Sequence, residues 1–281
     1  MYARPTLLSE AIEAMAGPDL LVLCGGTDIY PAHVGRPLPG NLLDLSRVGE
    51  LCGIKEEGRH FRIGATSSWS DILRHPLPPA FDGLKQAARE VGSVQIQNRA
   101  TIGGNLCNAS PAADGVPPLL VLDAEVELAS AAGARRMPLA SFITGNRRTA
   151  LGRSEILSAI LVPKPAAAAH SAFIKLGARR YLVISIVMAA AVVERKAGGG
   201  IAAASIAVGA ASAVAQRLPE LERDLVGLAP GIRPSSMLKP RHIAELSPID
   251  DVRATASYRS DAALHLIGDV LDRAAGVAGS A

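Results

Sequence analysis

Leu8, Ala11, Ile12 and Met15 recur three and four positions apart, the period of one helix face, and Gly17-Pro18 closes the run. Thr6 is placed to cap that helix. The next apolar run, Leu20 to Cys24, is short and unbroken like a buried strand, and it leads directly into Gly25-Gly26. Asn41 to Leu45 reads as a second strand, so the chain opens on a small βαβ-like unit. Residues 54–63 form a hairpin pattern turned at Glu57-Gly58. Ser67 to Arg74 and Ala80 to Val91 carry helical spacing, and Gly92 is a good C′ residue for the second. A polar stretch, Ser93 to Ala100, precedes a second glycine pair at Gly103-Gly104. Leu119 to Leu122, Glu125 to Ala129 and Glu155 to Val162 read as strands, the last stopped by Pro163.

Composition shifts at residues 163–169 (PKPAAAA), which marks a domain boundary. Beyond it, Ser171 to Leu176, Val183 to Glu194 and Ile201 to Ala211 read as strands. The last two flank Gly198-Gly199-Gly200, a hairpin signal. The rest is expected to be helical, most clearly Leu221 to Val226 and Ala262 to Ala275. No internal repeat or low-complexity tail is present.

The 281 residues are enough for two or three domains, and 20% charged with 49% apolar residues is an ordinary globular composition. Aromatics are only 3%, and the net charge of +3 comes from scattered arginines, densest at Arg135-Arg136, Arg147-Arg148 and Arg179-Arg180. Neither a base-stacking surface nor a basic stripe results, so no nucleic-acid partner is expected. Cys24, Cys52 and Cys107 are far apart and form no CxxC pair. They provide neither a disulfide framework nor the roughly four ligands of an iron–sulfur cluster, and they fit a reducing compartment. The opening MYARPTLLSEAIEAM lacks a signal layout. The longest apolar run, Leu182 to Val193, is short of the roughly 20 residues a bilayer takes. No membrane insertion and a cytoplasmic location are expected.

The candidate chemistry lies in the glycine pairs. Gly25-Gly26-Thr27-Asp28 is either a strand-to-helix turn with glycine at positive φ, or a nest of amides for phosphate with Thr27 adding its hydroxyl. Thr101-Ile102-Gly103-Gly104-Asn105 is either a turn or strand bulge, or a second phosphate contact with Thr101 and Asn105 as side-chain donors. Two such bends suggest one diphosphate held from two sides, and hence a dinucleotide. Neither bend fits GxGxxG, and no GxxxxGK[ST] occurs. Asp114 is an exposed loop aspartate or a ribose contact. Lys175, inside an apolar strand pattern, is a snorkelling edge residue or a charge near a cofactor ring or phosphate. The six histidines show no ligand spacing and read as surface or loop residues, and no general base is evident.

Taken together these motifs resemble the FAD-binding subunit of the molybdenum hydroxylases, the family of xanthine dehydrogenase and of the medium subunit of carbon monoxide dehydrogenase. The resemblance runs in order along almost the whole chain. CGGTD (Cys24 to Asp28) stands for the family's AGGTD-type loop, and TIGGN continues into the N-ASP-x-x-D run through Asp114. FITGNRRTAL (Phe142 to Leu151), Glu155-Ile156-Leu157, Phe173 to Arg180, and PIDDVR (Pro248 to Arg253) with Tyr258-Arg259 resemble its later segments. The departures are Cys24, where the family has a small Ala or Gly, and Tyr181 to Ser185, where it often has an acidic residue and Ile-Ala. The chain also lacks the cysteine-bearing insertion of 4-hydroxybenzoyl-CoA reductases.

The resemblance implies an α+β fold: a two-lobed FAD-binding domain of the PCMH type (residues 1–53 and 54–165), then a C-terminal domain (166–281) with a three-stranded antiparallel sheet and helices. It implies that Cys24, Gly25, Gly26, Thr27, Asp28 and Ile29, with Thr101, Ile102, Gly103, Gly104 and Asn105, hold the FAD pyrophosphate. Asp114 would contact the nucleotide half, Leu157 and Lys175 would lie along the cofactor, and Ile184 would lie near the isoalloxazine ring. FAD would extend between the first two lobes. The implied function is an electron-transfer subunit without catalytic or metal-binding residues of its own. A small subunit would supply two [2Fe–2S] clusters and a large subunit the molybdenum cofactor, in a dimer of heterotrimers. The alternative is a self-contained flavoenzyme of the same fold oxidising its own substrate.

Overall fold

The computed structural model describes residues 1–17, 19–38 and 40–277, which form two compact units interleaved along the chain. The first comprises residues 1–75, 93–109 and 124–163; the second comprises 76–92, 110–123 and the chain from 164 onward.

The first unit contains a parallel sheet of three short strands, ordered Tyr2–Ala3, Leu42–Asp44, Leu21–Leu23. Parallel neighbours need a crossover, and the helix Leu8–Met15 lies on one. It buries Ala11 in a cluster with Leu43, Leu45, Val48 and Leu51. Its start differs from the sequence expectation. Leu7, not Thr6, holds the capping position, and the Glu10 carboxylate accepts from the main-chain N–H groups of Thr6 and Leu7 at 3.0 and 3.2 Å. An acid in the first turn reaches both orphan donors, whereas Thr6 sits one residue too early.

The second sheet of this unit is antiparallel, ordered Ile54–Glu57, His60–Gly64, Ile156–Pro163, Glu125–Ser130, Gly133–Pro138. Its central strand is buried from Ile156 to Val162 and ends at Pro163, which cannot donate to a continuing ladder. The stretch Thr101 to Asn105 is not a loop or a bulge. It opens the helix Ile102–Asn108, and Thr101 Oγ1 caps it by accepting from the Gly104 N–H at 3.1 Å.

The second unit is built on an antiparallel sheet ordered Ala169–Leu176, Val187–Arg195, Ile201–Gly209, Gln216–Arg217. The expected three long strands are present, with a two-residue fourth. Gly199, at φ +85°, turns the expected hairpin. The middle strand is covered on both faces, which is why residues 186–193 read as one unbroken apolar run. Val187, Ala189, Ala191 and Val193 join a cluster with Ala263, Ile267, Val270 and Leu271 of the helix Ala256–Ala274. Met188 points the other way: a Cβ at Gly209 would meet both Met188 Cε at 2.4 Å and Pro117 Cγ at 3.0 Å. Pro117 belongs to the helix Val116–Val121, where the sequence reading had placed a strand from Leu119 to Leu122. The physical reason is the pair Pro117-Pro118, which presets helical φ in a first turn where no N–H is needed. Between the helices Pro219–Leu225 and Ala256–Ala274 the expected helical stretch is mostly coil, with single 3₁₀ turns at Pro234–Met237 and Pro240–Ile243.

Candidate functional site

The two glycine bends lie side by side within the first unit. The strand Leu21–Leu23 ends at Cys24, and the bend Gly25–Asp28 packs directly against the residues that precede Thr101. A Cβ on Gly25 would fall 2.0 Å from the Arg99 carbonyl oxygen and 3.1 Å from Ala100 Cα. The Cys24 thiol lies beside the Thr101 side chain. At the far end of the helix, Asn108 Nδ2 donates to Asp28 Oδ2 at 3.0 Å.

The bends differ in what they offer a ligand. Gly26 adopts φ +74°, and none of the main-chain N–H groups from Gly25 to Ile29 donates to an acceptor among the described residues. Five successive unpartnered donors around a left-handed glycine form a concavity suited to an anion with several oxygens. In the second bend the amides are engaged. Ile102 N–H donates to Ser67 O, Gly103 N–H to Ala65 O, Gly104 N–H to Thr101 Oγ1, and Asn105 N–H to Thr101 O. The expectation of free amides at both bends is therefore corrected to one bend only. What the second offers is a side chain and space. Asn105 Oδ1 is buried without a hydrogen-bond partner among the described residues. A Cβ on Gly104 would meet only Thr101 Oγ1, at 2.9 Å.

The glycines also have separate structural reasons. Gly25 and Gly103 lie against protein backbone, the second with its Cβ position 2.6 Å from Ala65 O. Gly26 is required by its φ, and a Cβ there would also strike the Tyr30 ring at 2.4 Å. Gly104 alone of the four has an open side and an ordinary φ.

Beneath the bends sit two thiols. Burial pushes Cys24 up to about 11 and Cys107 up to about 12. Both are held as neutral, weakly reactive thiols, and Cys24 acts as the small hydrophobe its place requires. Leu157, in the strand Ile156–Pro163, is buried at 5% exposure.

The second unit holds the remaining sequence candidates. Asp114 is not an exposed loop residue but is buried, and the reason is its partners. Lys175 Nζ donates to Asp114 Oδ2 at 2.6 Å, and Ser185 Oγ donates to Oδ1 at 2.6 Å. The side chains of the pair are 6% and 8% exposed. Burial pushes the Asp114 carboxyl above the usual carboxylate range, with Lys175 and Ser185 pulling back against it. Each carboxylate oxygen keeps a lone pair for a further donor. Ile184, one residue from Ser185, is exposed.

Two groups that the sequence reading gave no role are buried and paired. His242 is buried, contrary to its assignment as a surface residue. Its Nδ1 accepts from the Lys239 main-chain N–H, so Nε2 carries the proton toward Asp224 Oδ2, 3.0 Å away. Arg259 is also buried, donating to the carbonyls of Ile186 and Ala210 and to Asp251 Oδ1 at 2.7 Å. Beside the near partners Lys239 and Asp251, the distant ones, Asp224 and Ile186, lie 18 and 73 positions away, where no local pattern reaches. Among the described residues no group of three or more His, Cys, Asp or Glu is placed to hold a metal ion, and no helix is long and apolar enough to cross a membrane.

Comparison with known proteins agrees with the geometry. Residues 1–165 match the family described as the FAD binding domain in molybdopterin dehydrogenase, and residues 172–274 match the CO dehydrogenase flavoprotein C-terminal domain. The nicotinate dehydrogenase FAD-subunit of Eubacterium barkeri is 39% identical over 171 residues, 59% of this chain and 58% of that protein. The carbon monoxide dehydrogenase medium chain of Hydrogenophaga pseudoflava is 32% identical over 166 residues, 58% of each. These matches thus span somewhat under two thirds of each relative. A solved structure of the carbon monoxide dehydrogenase from Hydrogenophaga pseudoflava superposes with a TM-score of 0.88 at 29% identity, covering 97% of this chain and 96% of that one. With both halves of the chain matched in order, and the open amide bend inside the first, this chain belongs to the FAD-binding family of the molybdopterin dehydrogenases.

Proposed function

We propose that this chain is the FAD-carrying electron-transfer subunit of a molybdenum-containing hydroxylase or dehydrogenase. The observation that carries the proposal is the bend Gly25–Ile29, whose five main-chain donors lack acceptors among the described residues. A pyrophosphate is the part of FAD that needs such donors. Bound there, FAD would supply two-electron redox chemistry, taking electrons from [2Fe–2S] clusters of a small subunit and passing them to an external acceptor.

The chain's own residues then bind and orient. The amides of Gly25 to Ile29, with the Thr27 hydroxyl, hold the pyrophosphate. Gly104 permits close approach at the second bend, and Asn105 adds a side-chain contact. Leu157, in the same unit as the bends, would give an apolar contact along the cofactor; within the second unit, Asp114 and Lys175 act together as one buried polar pair. No proton-transfer group is needed here, because substrate oxidation belongs to a large subunit with the molybdenum cofactor. A dimer of heterotrimers completes the reading, in the cytoplasm.

The test is titration of the purified apo-chain with FAD, followed by reconstitution with iron–sulfur and molybdenum subunits of the same family. The expected result is stoichiometric flavin uptake, and bleaching of the flavin by the organic substrate only when both partners are present. No flavin uptake, or bleaching by substrate with the isolated chain, overturns the proposal.

A further inference from the structure

Asp28 places a carboxylate within the first bend, beside donors for which it can compete. It stands at the capping position of the short helix Ile29–Ala32 but makes no capping bond. The third residue of that helix, whose N–H a capping carboxylate ordinarily takes, is Pro31, which has none. The carboxylate instead accepts from Asn108 Nδ2 at 3.0 Å, and Asn108 Oδ1 in turn accepts from Arg147 Nη1. Donation from a guanidinium to the amide oxygen polarises the amide and strengthens the N–H it offers to Asp28.

The relay is held firmly at its outer end. Arg147 N–H donates to Ala109 O at 2.8 Å, and both residues adopt left-handed backbone, at φ +54° and +46°. Two adjoining non-glycine residues in that region cost on the order of 1 kcal/mol each, which persists only where the surroundings impose it. Arg147 forms no ion pair among the described residues, so its charge is directed into this chain of bonds.

The geometry points to Asn108, backed by Arg147, as a positioning residue: it draws the Asp28 carboxylate aside and so keeps the bend's amides open to an anionic ligand. The inference rests on the FAD reading for the ligand's identity but not for the relay. Without the relay, the carboxylate folds onto the neighbouring N–H groups and repels incoming phosphate. A competing side-chain bond of this kind is worth about 1 kcal/mol, which is roughly a fivefold loss of affinity.

The test uses the full-length apo-chain and two readouts, FAD affinity by flavin fluorescence and hydrogen exchange of the amides of residues 25–29. Asn108→Ala is expected to weaken FAD binding roughly fivefold and to slow exchange in the bend. Adding Asp28→Ala should restore both, while Asp28→Ala alone binds at least as tightly as wild type. Arg147→Gly, which suits the left-handed backbone and keeps the turn folded, should give a smaller loss that also vanishes in the Asp28→Ala background. Unchanged exchange in Asn108→Ala, or a double variant as weak as the single, overturns the inference. If wild type takes up no FAD but the exchange pattern follows expectation, the relay stands and the FAD reading falls.

Discussion

Gly103 and Gly104 are adjacent, but alanine at the two positions should have opposite consequences. At Gly103 the new methyl would lie 2.6 Å from Ala65 O and 2.7 Å from Ala65 Cβ. Ala65 cannot retreat, because its N–H is bonded to Ser158 O at 3.0 Å in the neighbouring strand. Overpacking of this kind costs about 1–3 kcal/mol, and loosening the Gly103 N–H bond to Ala65 O costs about 1 more, against about 1 gained in helix propensity. The net is about 2 kcal/mol, or roughly 4–8 °C in Tm for a chain of this size. At Gly104 the methyl meets only Thr101 Oγ1, a side chain that can turn. Losing that cap costs about 1 kcal/mol, and the propensity gain offsets it. Stability should be unchanged, while the methyl enters the open side and FAD affinity falls about tenfold or more. Thermal melts of the two apo-variants, with flavin titrations below the melting range, separate the effects. A wild-type Tm for Gly103→Ala refutes the packing argument. Wild-type FAD affinity for Gly104→Ala refutes the placement of the cofactor at that side. Gly26 is a poor substitute for this test, since its φ and Tyr30 would make any replacement disrupt the bend itself.

Two further predictions concern buried ionisable groups. Lys175→Met leaves Asp114 buried with only Ser185, and should cost about 3–5 kcal/mol in denaturant melts at neutral pH. Because the carboxyl is then protonated more readily in the fold than in the unfolded chain, the variant should recover stability as pH falls, and adding Asp114→Leu should restore most of it. No loss on Lys175→Met would show that the pair is not a buried ion pair. For the thiols, Cys52 alone should react with a thiol reagent at pH 8, and all three in denaturant, because Cys52 is exposed. The two buried thiols, Cys24 and Cys107, give a pH slope. The unfolded chain ionises them above their ordinary 9.0, while the fold keeps Cys24 protonated to about 11. The native state therefore binds more protons in that window, so the contribution is complete below pH 9 and lost as pH rises to about 11. Cys24→Ala should flatten this part of the curve, and an identical slope would rule out the thiol as its source.

The long strands and helices were legible because periodicity reports local burial. Pro163 is visible as a stop for the same reason that it ends the strand: it lacks an N–H. The misread elements are those where a neighbour decides. Leu119 to Leu122 is an apolar run of ambiguous period, and only Pro117-Pro118 upstream mark it as helical. Thr101 looked like the edge of a loop, but a threonine three residues before a needy N–H is also a cap. The two excursions of the second unit, residues 76–92 and 110–123, are short, and only the prolines among residues 76–79 mark the start of one. Their assignment depends on contacts such as Lys175 with Asp114, 61 positions apart, which no local pattern encodes.

The glycine bends show how a correct motif can carry the wrong mechanism. Four glycines looked alike in sequence, each an absent side chain beside a possible phosphate. In the fold, two are small because protein backbone lies against them, one because its φ is left-handed, and one because the space beside it is open. Similarly, free amides are a property of only one bend. In the other, a capping threonine and two neighbouring carbonyls have already taken the donors. A second bend with satisfied amides is rigid without a ligand, and it is the surface on which the first bend rests through Gly25 and Arg99. On the proposed FAD reading its contribution would be mainly preorganisation: it would hold five open donors in place before the ligand arrives, so that their ordering need not come out of the binding energy.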